Sequence, residues 1–218
     1  SKDMTSKIFS LASEEKEVAM TLAGHRDRVV NAFFNSTQEI IYTVSKDGAI
    51  FTWEYTKNPG EESESESESD EEDDTDSSNS SWRITAKNFF MANANLKCCT
   101  FHPRSNLLVV GFSNGEFRLY EMPDFNHIQL LLMGQNSINA VQINQTGEWL
   151  AFGLSQLGQL LVYEWQSETY ILKQQGHFDS MYALAYCPDC SRVVSATDEV
   201  KLKIWDVLLV FFLVRSLV

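Results

Sequence analysis

The sequence predicts an all-β fold assembled from four copies of one repeating unit. The copies begin at residues 24, 91, 134 and 176, and each reaches an aromatic residue 29 positions later. Turn dipeptides such as Asp-Gly and Asn-Gly, which favour β-hairpins, interrupt the apolar runs shortly before that aromatic. No stretch has the sustained period of about 3.6 residues that marks an amphipathic helix. We therefore expect short antiparallel strands that recur about every 42 residues.

The first and fourth copies are the most similar to each other. "AGHRDRVVNAFF" (23–34) returns as "QGHFDSMYALAY" (175–186), and in both copies an apolar run then leads to a Trp. The two middle copies are less regular and close on Tyr120 and Tyr163. In the third copy the apolar positions come one place early relative to the aromatic. This offset predicts one extra residue in its later hairpin.

An acidic insertion separates the first copy from the second. The interval between their starts is 67 residues, against 43 and 42 for the others, and residues 58–81 account for the excess. Within it, Glu61–Asp76 contains eleven acidic residues and no basic one, which leaves 19 acidic and 17 basic residues elsewhere. Such a run repels itself and lacks apolar groups, so we expect it to be disordered. The near-neutral remainder lacks the broad basic face of a protein that wraps nucleic acid.

Both ends of the chain depart from the repeat. "SKDMTSKIF" (1–9) copies "SKDGAIFTW" (45–53), so residues 1–23 are interpreted as the remnant of a preceding unit. Residues 207–218 begin with the apolar "VLLVFFLV" and form a non-repeat tail, shorter than the roughly 20 residues that span a bilayer. No signal peptide is apparent in residues 1–20. These features predict a fragment, or an abnormally terminated product, of a larger protein.

With its period near 42, "GH" opening and "W" or "WD" closing, the sequence resembles the WD-repeat β-propeller family. The resemblance implies an incomplete propeller over residues 1–206, with about four blades in units 24–57, 91–123, 134–168 and 176–206. It also implies that buried polar side chains within a blade satisfy one another and hold its strands together. The implied residues are His25, Ser45, Asp47 and Trp53 in the first unit, and His177, Thr197 and Trp205 in the fourth.

Less generic segments are similar to one group within this family. They include "LKCCTFHPRSNLLVVGFSNGEFRLYEMP" (96–123) and "GEWLAFGLSQLGQLLVYEWQSETYILKQQGHFDSMYALAY" (147–186). The similarity implies a non-enzymatic scaffold of the small-subunit processome in the nucleolus. Its partners would be other WD-repeat scaffold proteins and, indirectly, the U3 small nucleolar RNA and pre-ribosomal RNA particle. A general WD-repeat adaptor, as in ubiquitin ligation or vesicle coats, and a truncated product without function are the alternatives.

The sequence contains no pattern that predicts catalysis. A Ser/His/Asp set, a phosphate-binding glycine loop and paired carboxylates outside the acidic run are all missing, and no cofactor, metal, membrane or small-molecule substrate is expected. Cys187-Pro188-Asp189-Cys190 could be a redox pair or half of a zinc site. Since it lies between two expected strands, a structural turn is the preferred interpretation. Cys190 takes the usual glycine position of that turn, which predicts a left-handed backbone at a cost of about 1–2 kcal/mol.

Two further features could contact partners. Ser63, Ser65, Ser67 and Ser69 each have an acidic residue three positions later, the pattern of acid-directed kinases, and each phosphate would add a charge of about −1.5 to −2. The insertion could then dock basic partners, or it could be a solvated segment without a role. The repeated aromatics at 53, 120, 163 and 205 could stack on RNA bases, but their regular positions predict packing within the blades.

Overall fold

The described strands form four four-stranded antiparallel sheets and one two-stranded ribbon. The computed structural model describes residues 3–9, 18–56, 81–155, 158–198, 201–207 and 215–217. The ribbon consists of β1 (Ser6–Phe9) and β2 (Val18–Leu22). The first blade contains β3 (Val29–Phe34), β4 (Ile40–Ser45), β5 (Ala49–Thr56) and β6 (Ser81–Phe89). The second contains β7 (Leu96–His102), β8 (Leu107–Phe112), β9 (Glu116–Glu121) and β10 (Asn126–Leu132).

The third and fourth blades repeat this order. The third contains β11 (Ile138–Ile143), β12 (Trp149–Leu154), β13 (Gln159–Glu164) and β14 (Thr169–Gln175). The fourth contains β15 (Met181–Tyr186), β16 (Arg192–Thr197), β17 (Leu202–Asp206) and β18 (Arg215–Leu217). In every blade the strands pair in chain order, and β11 packs against both β7 and β15. The predicted class, an incomplete all-β propeller, is confirmed.

The blades share irregularities as well as strand order. In each first strand the register shifts directly after the first residue. These residues are Val29, Leu96, Ile138 and Met181. A second shift precedes the closing aromatic where the third strand pairs with the fourth, at Trp53, Tyr120 and Tyr163. The ribbon has the same shift before Phe9. This match supports the alignment of Phe9 with Trp53, while the assignment of residues 1–23 to a preceding unit and the unit boundaries stay predictions.

Three departures from the regular repeat are the later hairpin of the third copy, the acidic insertion and the tail. The hairpin between β12 and β13 has one residue more than that between β4 and β5, which confirms the predicted extra residue of the third copy. The predicted insertion, 58–81, lies outside the described residues except for Ser81, the first residue of β6. The predicted tail, 207–218, is described only at Val207 and at Arg215–Leu217. Val207 is buried, and Arg215–Leu217 pair with β17, because an open strand edge can be satisfied by backbone bonds whatever the side-chain pattern.

The core lies between successive blades. Phe117 of the second blade packs on Phe152 and Tyr163 of the third, with ring centroids 4.9 and 5.9 Å apart. Similar apolar clusters join the first blade to the second, the third to the fourth, and the ribbon to the first. Every residue of β8 is buried. A middle strand covered on both faces explains the continuous apolar run "LLVVGF", which lacks the alternation of a half-exposed strand.

The turn that joins β15 to β16 confirms the prediction for Cys190, whose φ is +60°. In the third blade Gly147 holds the same turn position at φ +84°, and in the first blade Gln38 holds it at +63°. Only the glycine avoids the clash between Cβ and the backbone that disfavours this conformation.

Replacement of Cys190 by Gly should therefore raise the free energy of unfolding. We expect a gain of about 1 kcal/mol, because the relief of the left-handed Cβ exceeds the flexibility that glycine adds to the unfolded chain. Urea unfolding of the 218-residue chain measures the change. Gln38→Gly is the matched variant and should give a similar gain. A loss of stability in Cys190→Gly would mean that the thiol makes contacts worth more than the strain.

Candidate interaction sites

Two buried triads join the second and third strands, one in the first blade and one in the fourth. In the first blade, Nε2 of His25 lies 2.7 Å from the Thr43 hydroxyl, and the Trp53 indole N–H donates to the same oxygen at 2.9 Å. In the fourth, His177, Ser195 and Trp205 repeat this arrangement with two distances of 2.7 Å. An indole N–H can only donate, so the hydroxyl accepts from the Trp and can still donate to the imidazole. All six residues are buried, and the triads stabilise the blades.

The hydroxyl of each triad differs from the one that the sequence predicted. The predicted residues, Ser45 and Thr197, are each two residues further along the strand than Thr43 and Ser195. Residues two apart lie on the same face of a strand, so alternation alone cannot separate them. Trp53 is paired directly with Ile41, and the hydroxyl within reach of its indole is the nearer one. Ser45 donates instead to Asp47, and the buried hydroxyl of Thr197 makes no hydrogen bond with the described residues.

Asp47 organises the turn between β4 and β5. Its carboxylate accepts the Ser45 hydroxyl and the Ala49 N–H, the latter at 3.1 Å. Nδ1 of His25 is buried and has no hydrogen-bond partner among the described residues, although its ring stacks on Phe51 at 4.1 Å. The sequence placed Asp47 in one set with His25, whereas the structure gives it to the turn. The corresponding position of the fourth blade, residue 199, lies outside the described residues.

The two middle blades replace the triad with apolar packing. Val110 and Phe152 take the position of Thr43 in the register, and both are fully buried. Tyr120 and Tyr163 take the position of the Trp. The acceptor hydroxyl and the indole N–H that it pairs with are absent together, so no indole donor is left unpaired and the exchange costs little. This explains why the middle copies of the repeat look degraded in the sequence while their blades are complete.

His25 should make the stability of the chain depend on pH. Burial lowers the pKa of His25 below its usual 6.5, against the opposing effect of the Asp47 carboxylate. Below pH 6.5 the unfolded chain therefore binds more protons than the folded chain, and stability should fall as the pH drops from 6.5 towards the lower folded pKa. Urea unfolding at pH 7.5 and 5.5 measures the loss. His25→Gln should have a smaller loss of unfolding free energy between pH 7.5 and pH 5.5. An unchanged loss would contradict the assignment of the pH dependence to His25.

A groove at one end of the blades is formed by the turns that follow the first strands. It is lined by His102 and Arg104 of the second blade, Gln145 of the third, and Pro188 and Cys190 of the fourth. The groove is open, and its rim carries a cation, carboxamide groups and backbone carbonyls. With the Asp189 carboxylate, these groups suit hydrogen bonding to a polypeptide.

His102 ties the second and third blades together at this groove. Its Nδ1 lies 2.6 Å from the Ser105 hydroxyl and accepts the Ser105 N–H at 3.3 Å. Its Nε2 lies 3.0 Å from the Gln145 carbonyl, so the Nε2–H tautomer fits all three contacts. His102 is not among the residues that the sequence predicts, because no spacing marks it. The one available signal was its position at the end of a first strand, where a turn begins.

The Cys187–Cys190 segment behaves as a turn in the structure. The Cys187 sulfur accepts the Arg192 N–H at 2.9 Å, in the place where Asn144 and Asn35 cap the same turn of other blades. Hydrogen bonds from the Cys187 thiol and from Ser191 lower the pKa of Asp189 to about 2. Within the described ranges, no group of three His, Cys, Asp or Glu side chains is arranged to hold a metal ion. No helix in those ranges is long and apolar enough to cross a membrane.

The predicted phosphorylation sites, Ser63, Ser65, Ser67 and Ser69, lie outside the described residues. The repeated aromatics are inside. Trp53, Tyr120, Tyr163 and Trp205 are all buried, so the faces of their rings pack in the blades and are not open to RNA bases.

Comparison with known proteins agrees with this architecture. The family "WD domain, G-beta repeat" matches residues 16–54 and 168–206. Periodic tryptophan protein 2 of Saccharomyces cerevisiae is 64% identical over 210 residues, which cover 95% of this chain and 23% of that protein. The Neurospora crassa homolog is 55% identical over 202 residues (92% and 22%), and the Mus musculus homolog 36% over 241 (95% and 26%).

The chain spans about a quarter of the length of the curated relatives it matches. Their similarity extends through the middle blades, where the repeat motif itself is degraded. The chain therefore contains WD repeats and resembles periodic tryptophan protein 2 over the part that it spans.

Proposed function

We propose that the chain is a non-enzymatic scaffold in ribosome biogenesis and contributes to a nucleolar assembly that matures the small ribosomal subunit. The observation that carries the proposal is the 64% identity to periodic tryptophan protein 2 over 95% of the chain. Identity at that level includes segments far from the repeat consensus, and it is these segments that imply the small-subunit processome. The partners would be other WD-repeat scaffold proteins, with the U3 RNA particle contacted through them.

The distribution of polar groups supports a scaffold role. The His–hydroxyl–Trp triads are buried and occupied with one another, so they stabilise blades and leave no reactive group. The polar groups that remain accessible lie on turns and strand edges, which are the surfaces that a rigid propeller presents to partners. Outside the acidic insertion the near balance of charge also favours protein contacts over direct contact with RNA phosphates.

The test is affinity purification of the tagged 218-residue chain from Saccharomyces cerevisiae cells, followed by sequencing of the associated RNA. Enrichment of U3 small nucleolar RNA and pre-ribosomal RNA is expected. Periodic tryptophan protein 2 of that yeast, tagged in the same way, is the positive control. If the control enriches both RNAs and the chain enriches neither, the chain lacks assembly function and the proposal fails for it. Ubiquitin-ligase or coat subunits among the purified proteins would favour a general adaptor.

We further propose that the acidic insertion docks basic partners and that phosphorylation of Ser63, Ser65, Ser67 and Ser69 strengthens this docking. Its eleven carboxylates attract Lys- and Arg-rich segments, and each phosphate would add about −1.5 to −2 charges. The first blade closes through β5 and β6. The insertion can therefore be removed between Thr56 and Ser81 without loss of a strand.

Replacement of residues 57–80 by Asn-Gly, a two-residue turn that can join the paired Thr56 and Ser81, should weaken the binding of basic ribosomal proteins to the chain. The matched control keeps the length and replaces the acidic residues by Asn and Gln, which separates charge from reach. Both variants should lose binding. Binding of the basic partners by the native chain should weaken as salt is added. Unchanged partner binding in both variants would identify the insertion as a segment without a role.

A further inference from the structure

The outer strand of the second blade presents an apolar row to solvent. Ile128, Leu130 and Leu132 of β10 are 40, 48 and 58% exposed. The alternate residue Leu131 points the other way and packs in the core between the second and third blades. β10 pairs with β9 on one side, and no described strand occupies its other edge. An edge strand of seven residues without Lys, Arg, Asp, Glu or Pro lacks the charges and the proline that normally keep such edges from pairing. Its one bulge lies at Ile128, and Gln129–Leu132 pair with β9 in unbroken register.

The other blades show what is unusual about this strand. In the first blade the exposed Lys87 of β6 is paired with Phe51, and in the third Lys173 of β14 is paired with Leu161. In both, the cation is on the outer strand and the apolar residue is inside. The second blade reverses the pair: Arg118 lies inside and Leu130 outside.

Arg118 is held in its inner position by several contacts. It forms an ion pair with Glu116, and its guanidinium lies over the Phe112 ring at 5.6 Å and donates to the Met91 carbonyl at 3.1 Å. The cation that would protect the outer edge is thus used within the sheet. Met91, which is 89% exposed, extends the apolar surface beside it.

One end of the row is acidic. Glu121 and Asp124 flank the start of β10, both are exposed, and neither forms an ion pair with another described residue. Asp124 and Glu54 of the first blade also face a common group: burial, and then these two carboxylates, raise the pKa of Tyr42 to about 12. The end of the second blade where β10 begins therefore carries negative charge.

We propose that β10 is a docking edge for an extended segment of a partner protein, which adds a strand to the second blade. The backbone groups of β10 supply the hydrogen bonds, and Ile128, Leu130 and Leu132 contact apolar side chains at alternate positions of the segment. A Lys or Arg at one end of the segment lies beside Glu121 and Asp124. The proposal specifies a partner type for the scaffold proposed above, and so rests on that role, but its test needs neither RNA nor the native assembly.

The test selects peptides from a phage-displayed library of random dodecamers on the 218-residue chain. Selected peptides are then measured by fluorescence anisotropy against Leu130→Lys. Its lysine is at a half-exposed position but lies directly opposite Arg118, so circular dichroism first verifies that this variant is folded. The matched control is Leu202→Lys, an exposed leucine of the fourth blade. Binding should fall at least tenfold in Leu130→Lys and stay unchanged in Leu202→Lys. Asp124→Lys should weaken the same peptides at least threefold.

Hydrogen exchange shows whether a strand has been added. Bound peptide should slow the exchange of backbone amides within Asn126–Leu132, and the selected sequences should alternate apolar residues and end in Lys or Arg. Failure to select any peptide that distinguishes the native chain from Leu130→Lys overturns the proposal, as does protection elsewhere. A dimer seen by light scattering in the native chain and lost in Leu130→Lys would make a second copy the occupant, which also overturns it. Failure of RNA enrichment with success here would remove only the ribosomal role.

Discussion

Replacement of Gly115 by Ala is expected to lower the free energy of unfolding by about 3 kcal/mol or more. Gly115 ends the turn between β8 and β9 at φ +83°, where a Cβ costs about 1–2 kcal/mol by itself. A Cβ at this position would also clash with the Gly134 carbonyl oxygen and lie 2.8 Å from that of Asn136. Both atoms are backbone and cannot rotate away, so the chain leading into the third blade would have to move. Overpacking of this kind adds about 1–3 kcal/mol.

Gly48→Ala is the matched control. Gly48 holds the same turn position in the first blade at φ +82°, but the nearest atom to its built Cβ is the Phe90 carbonyl oxygen at 3.5 Å, an ordinary contact. It should cost only about 1–2 kcal/mol, from the backbone conformation alone. Urea unfolding of both variants at pH 7.5 gives the comparison. Equal losses would show that the approach of the third blade to the turn carries no energetic weight.

The contrast between these glycines shows what the sequence could and could not predict. Asn114-Gly115 and Asp47-Gly48 predict turns because glycine adopts the positive φ that these turns require, which depends only on the local residue type. Both turns are where the pattern places them. The closeness of Gly134 to Gly115 is set by how one blade follows another. In both blades the turn glycine accepts an N–H from the segment that leads onward, Phe90 for Gly48 and Met133 for Gly115. Nothing in the dipeptides encodes that contact.

The same division explains the other differences. Repeat spacing predicted four sheets and the extra residue of the third copy, since both follow from strand length and turn length. The pairing of Arg215–Leu217 with β17 was missed because backbone bonds, not side chains, carry it. His102 was missed because its partner, Gln145, is 43 residues away in the next blade. The exposed row of β10 was missed because the sequence shows apolar residues but not which of them a neighbouring blade covers.

Replacement of Thr43 by Val should cost about 2–4 kcal/mol of unfolding free energy. Valine keeps the shape and the β-branch but removes the oxygen that both His25 and Trp53 contact. The indole N–H and the imidazole Nε2 would then be buried without partners, and each unsatisfied group costs about 1–3 kcal/mol. The three residues are buried, so water cannot easily replace the hydroxyl. Urea unfolding followed by tryptophan fluorescence measures the loss.

Ser45→Ala separates the observed triad from the one that alternation allowed. Ser45 lies on the same strand face two residues on, and its hydroxyl donates only to Asp47, which also accepts the Ala49 N–H. Its removal should cost no more than about 1 kcal/mol, since the carboxylate keeps a partner. A larger loss in Ser45→Ala than in Thr43→Val would restore the serine as the hydroxyl that joins the strands. The expected order assigns that role to Thr43. Thr43 is two residues from Ile41, the residue paired with Trp53, so the indole can reach its hydroxyl.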